Sequence, residues 1–128
     1  MKSLLIGMLI LTGVSVAHAK DERDAWIKCL VDGEKQGVSN KDCPAFEKAL
    51  GCQAQLLQFY EGHLNDVKAE LVQVKKEWSS SKSAKRRELF ARAIHEAELA
   101  VGSEEKAVAQ SKDGDAILRR EKHEAGCN

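Results

Sequence analysis

The chain has 128 residues, and its 20 lysines and arginines balance 20 aspartates and glutamates. A formal charge of zero creates no overall field that would draw the protein to nucleic acid or to a membrane. With four cysteines, one proline and few aromatic residues, it reads as one small domain rich in charged, helix-favouring residues.

The first segment is MKSLLIGMLILTGVSVAHA. Lys2 supplies a positive start, Leu4 to Val16 an apolar run, and Ala17-His18-Ala19 a small-residue cleavage site. That pattern predicts a secretory signal peptide over residues 1–19. The apolar run is shorter than the roughly 20 residues a membrane span needs, so no transmembrane segment is expected after cleavage. The segment removes Lys2 alone from the charged residues and leaves residues 20–128 as a single helical domain. The expected location is periplasmic or secreted.

All four cysteines, Cys29, Cys43, Cys52 and Cys127, lie beyond the cleavage site. An even number in an exported chain predicts two disulfides, and four cysteines allow three pairings.

A first helix is expected over residues 22–36, with Trp26, Cys29 and Leu30 on one side and Gly37 as its stop. A second is expected over 44–78. Asp42 or Cys43 caps it, and Pro44 suits its first turn because the missing N–H has no role there. Apolar residues then recur by fours and threes at Phe46, Leu50, Leu57, Tyr60, Leu64, Val67, Leu71, Val74 and Trp78, with only Gln53 out of character. This is a heptad stripe.

The serine-rich segment that follows predicts a turn over 79–84. A weaker stripe runs through Phe90, Ile94, Ala97, Val101, Glu104, Val108 and Ser111, giving a helix over 85–112. Asp113-Gly114-Asp115 predicts an interruption before a last helix over 115–125.

In an antiparallel pair, facing positions keep a constant sum of residue numbers. One register brings together Trp78 with Phe90, Val74 with Ile94, Leu71 with Ala97, Val67 with Val101, Tyr60 with Val108 and Leu50 with Leu118. The same register, set without any cysteine, carries Cys127 close to Cys43. Folding the first helix back at residues 37–42 puts Cys29 opposite Cys52, where Cys52, Leu56 and Phe59 form a second stripe in need of cover. Cys43 and Cys52 do not suit each other: nine helical residues separate them by roughly 13 Å, too far for a disulfide. The alternative pairing, Cys29–Cys43 with Cys52–Cys127, stays open. The expected fold is therefore all-α: an antiparallel, coiled-coil-like helical hairpin with a short N-terminal helix docked at its base and two disulfides.

Chemistry-bearing residues are scattered. His63, His95 and His123 do not converge in this register, and no pair has the i, i+4 spacing of a metal-binding helix. The cysteines lack C-x-x-C spacing, which disfavours zinc and thiol exchange. Ser79, Ser80, Ser81 and Ser83 have no base beside them. No metal, cofactor or catalytic activity is expected.

The distinctive surface is the turn. Lys75, Lys76, Lys82, Lys85, Arg86, Arg87 and Arg92 gather there against only Glu77 and Glu88. A solvated turn explains such a cluster, and so does a site for an anionic envelope polymer, a lipid or an acidic protein. Nucleic acid is not expected, since no aromatic residues interleave with the cations.

Two helices alone cover a long apolar stripe poorly, so an envelope protein or a second copy of the chain is expected on the hairpin. The expected function is that of an exported, non-enzymatic interaction protein of inhibitor, chaperone-like or envelope-assembly type. The alternative is a small secreted effector, toxin or immunity-type factor.

Overall fold

The computed structural model describes the backbone of residues 2–128 and the side chains of residues 20–128; the signal peptide expected at residues 1–19 lies outside the fully described part. The chain forms three helices, α1 (Lys2–Asn40), α2 (Cys43–Ser80) and α3 (Ala84–Glu124). No strand occurs among the described residues, and none of their helices is long and apolar enough to cross a membrane. The fold is an all-α helical hairpin with α1 packed on α2 and with two disulfides. Two compact units compose it. One takes in the chain up to Leu56 together with Ile117–Asn128, and the other is Leu57–Ala116.

The first unit holds the core. Phe46, Ala49 and Leu50 of α2 pack with Leu118 of α3 and with Cys127, and Leu30 of α1 and Ala125 border them. Phe46 and Leu118 are fully buried. Leu50 and Leu118 therefore share one core cluster, in keeping with the register. Burying side chains of this size contributes about 1.5–3 kcal/mol each. A core of so few large residues needs additional restraint.

Covalent bonds supply it. Cys29 joins Cys52, with Cα atoms 6.2 Å apart, and Cys43 joins Cys127 at 5.6 Å. Both separations lie in the ordinary disulfide range. The alternative pairing is thereby excluded.

α1 runs on to Asn40 rather than stopping at Gly37. Gly37 serves packing instead. A Cβ built on it would come within 2.9 Å of the Phe46 ring, and one on Gly33 within 2.9 Å of the Ala45 carbonyl oxygen and the Ala49 Cβ. Two glycines one turn apart thus let α1 lie close against the small residues of α2.

The helix ends at Lys41, which adopts a left-handed conformation with φ of 51°. Asp42 N–H then donates to the Gly37 carbonyl at 3.2 Å, the outer bond of a Schellman turn. Asp42 also starts α2. Its carboxylate accepts from the Ala45 N–H at 3.2 Å and from the Gln36 amide at 3.0 Å.

The C-terminus repeats the device. Gly126 has φ of 84°. Gly126 N–H donates to the His123 carbonyl and Cys127 N–H to the Lys122 carbonyl, both at 3.0 Å. The turn carries Cys127 to Cys43. A Lys122–Glu47 ion pair joins α3 to α2 beside it.

In the second unit α2 and α3 run antiparallel, and the two predicted stripes form the seam. Ala97, Val108 and Ser111 are buried, whereas Leu64, Val67, Leu71, Val74, Ile94 and Val101 are half-buried. α3 is continuous through Gly114, so the predicted interruption is absent. A glycine costs only about 1 kcal/mol in a helix interior. That is too little to break a helix held by a buried residue on either side, Ser111 and Leu118.

Candidate functional site

The turn is shorter than expected. α2 extends to Ser80, and only residues 81–83 lie between the helices. The serines explain the shape. Ser79 and Ser80 hydroxyls donate back to the carbonyls of Lys76 at 2.9 Å and Glu77 at 3.2 Å, which ends α2. Ser83 begins α3, with its hydroxyl accepting from Arg86 N–H at 3.4 Å and its carbonyl from Arg87 N–H at 2.9 Å.

The predicted cations divide into two sets. Arg87 lies over the Trp78 ring, 4.4 Å from its centroid, a cation–π geometry. Arg92 donates to Glu88 at 3.0 Å one turn away, and Lys75 approaches Glu98 across the seam at 3.8 Å. Lys82, Lys85 and Arg86 are exposed and make no ion pair among the described residues. The acid at Glu77 accepts from the Gln73 amide at 3.1 Å. Gln73 is neutral, so Glu77 keeps its charge, and the unpaired charge at this end of the hairpin is predominantly positive, with Lys76, Lys82, Lys85 and Arg86 set against Glu77.

Apolar surface accompanies it. Trp78 is 37% exposed and Leu89 57%. Trp78, with Lys75, Ser79, Ala91 and Ile94, lines an open, shallow depression of about 440 Å³. The heptad pattern does not predict the stacking of Arg87 on Trp78 or the exposure of Leu89. The available signal is the nine-position separation of Trp78 and Arg87, which a turn confined to residues 81–83 brings within reach of each other.

The histidines remain apart. His63 Nδ1 stands 4.0 Å from Glu104 Oε1, and its ring lies against Phe59 with centroids 4.8 Å apart. His123 Nδ1 is 3.1 Å from Asn128 Oδ1 at the chain end. His95 is exposed on α3. No group of three or more potential metal ligands occurs among the described residues. A second depression, of about 330 Å³, lies beside Cys29 between α1 and α2, with Asp32, Gln36, Asp42 and Lys48 around it.

Fold and bonding define a class: a disulfide-bonded helical hairpin with a basic, partly apolar turn. No protein family matches the chain, and no curated protein or solved structure is detectably similar to it.

Proposed function

We propose that this is an exported, periplasmic protein that acts without catalysis, by binding an envelope partner through its helical hairpin. Two disulfides fit an oxidising compartment, and the small-residue cleavage site at Ala17–Ala19 fits export. The observation that carries the reading is the incompletely covered seam of the hairpin unit. Leu71, Val74, Ile94 and Val101 are only half-buried, and on the faces of the same helices turned away from the seam Val72 and Leu99 stand 67% and 62% exposed. Apolar residues left open along paired helices are the surface on which a further helix gains contact.

The test is photo-crosslinking in the native envelope from a residue engineered at Leu99, paired with sedimentation of the purified protein. A specific crosslinked partner, or a stable self-association lost in Leu99→Glu, is the expected result. A strictly monomeric protein that yields no crosslink and takes up no apolar dye would remove the reading.

A further inference from the structure

We infer that the closed end of the hairpin docks on an anionic phospholipid bilayer. The inference rests on the reading above, that the hairpin works by binding, and it names what this one end binds.

Three observations converge on it. The first is charge. Lys82, Lys85 and Arg86 lie within five residues, are exposed, and have no acidic partner among the described residues; of the two nearby acids Glu88 is paired with Arg92, and Glu77, hydrogen-bonded to the neutral Gln73 amide, is the one opposing charge. The second is apolar exposure at the same place, in Trp78 and Leu89. Tryptophan and leucine beside lysine and arginine form the composition of an interfacial anchor. A soluble polyanion would use the cations and leave Leu89 without a role.

The third is placement. Successive helical residues are about 100° apart. Leu89 and Ala91 therefore lie on opposite sides of the half-buried Phe90, and Ala91 shares its side with Trp78. Lys85 and Arg86 precede Leu89 by four and three residues and share its side. Apolar groups thus stand on both sides of the turn, with cations on and between them. A partner helix laid along one side would meet only one of the two. A plane met end-on meets both.

Each lysine or arginine near an anionic surface strengthens binding roughly fivefold. Three such charges with two apolar contacts give reversible docking rather than insertion.

The experiment uses the oxidised protein carrying Trp26→Phe, so that Trp78 is the remaining tryptophan. It is mixed with vesicles of phosphatidylcholine alone or with added phosphatidylglycerol. Flotation with the phosphatidylglycerol vesicles and a blue shift of Trp78 emission are expected, both reversed by high salt, with neither on phosphatidylcholine. The triple variant K82E/K85E/R86E should bind on the order of a hundredfold more weakly. Its helical circular dichroism and melting temperature should be unchanged, since all three side chains are exposed. Leu89→Ser should weaken binding with the charges intact.

The inference is overturned by absence of flotation, by equal binding to both vesicle types, or by a triple variant that binds as before. Polyphosphate that binds as tightly as the vesicles and is indifferent to Leu89→Ser overturns it too, in favour of bare charge recognition. If flotation fails while the Leu99 crosslink persists, the bilayer is excluded and the binding role stands. If both fail, both readings fall.

Discussion

Phe46 lies with its ring directly over the bare Cα of Gly37, in the space a methyl group would fill. The contact joins α1 to α2 at the centre of the core, because Phe46 is fully buried there. A side chain that has no exposed edge has nowhere to yield.

Gly37→Ala should therefore destabilise the protein by about 1–3 kcal/mol through overpacking, despite alanine's better helix propensity. Gly33→Ala should behave alike, since its added carbon would meet the backbone of Ala45. Gly51, Gly62 and Gly102 lie in helix interiors with nothing near an added carbon, and alanine at each should stabilise by up to about 1 kcal/mol. Urea unfolding of the five single variants checks both signs. A neutral or stabilised Gly37→Ala would show that α1 is not held this closely.

The two left-handed residues invite opposite substitutions. Lys41→Gly should stabilise by roughly 1 kcal/mol by relieving a conformation that costs residues with a Cβ. Gly126→Ala should cost about 1–2 kcal/mol and disturb the turn that delivers Cys127. Thermal melts of both under oxidising conditions give the comparison.

The disulfides close loops of different size, with separations of 23 and 84 residues. On loop entropy alone, removing Cys29–Cys52 by paired serine substitution should cost about 3 kcal/mol, and removing Cys43–Cys127 about 4–5 kcal/mol. Denaturation of each double variant, with a peptide map of the unreduced parent, tests the order. A larger loss from the shorter loop would point to strain or denatured-state structure.

Two carboxylates on the core's border respond to pH in opposite directions. Desolvation, and secondarily the nearby Glu34, holds the Glu121 carboxyl above its usual range, and its Oε2 is buried without a partner. Its protonated form suits the fold, so the stability it contributes is full below the ordinary carboxylate value and is lost as pH rises through the raised one. Glu121→Gln should exceed the parent in stability at neutral pH, and the gain should vanish in acid. Glu47 runs the other way. The hydrogen bond from Lys122, and then the lysine's charge, lowers its pKa. Its contribution is present above the ordinary carboxylate value and is lost as pH falls through the lowered one. Melting temperatures of Glu121→Gln and Glu47→Gln between pH 3 and pH 7, as a working range of about four units around the carboxylate values, should therefore diverge from the parent at neutral pH with opposite sign.

What the sequence disclosed about this fold was whatever repeats. The heptad stripes of α2 and α3 are visible because every seam position adds to one period, and their alignment then located Cys127 opposite Cys43. Single residues with two physical uses were harder. Glycine both ends helices and allows helices to approach, so the sequence marks Gly37 as a terminus and gives no sign of Gly33, its partner in close packing. Lys41 carries no mark of a left-handed residue. The turn was legible in charge but not in its stacking, because the Arg87–Trp78 contact depends on where Ser83 starts α3. The function is not written in a period at all. Recognition depends on which exposed groups come together, and that follows from the fold.

The serine turn joins the end of α2 to the start of α3, and the Cys43–Cys127 bond joins the start of α2 to the residues that follow α3. A protease that nicks the chain at Lys82 would thus release nothing. The cut protein would be a two-chain molecule, one chain ending in α2 and the other beginning with α3, held by a single sulfur link. Only a reductant would then part the halves, so a clipped hairpin and an intact one weigh nearly the same until thiol is added.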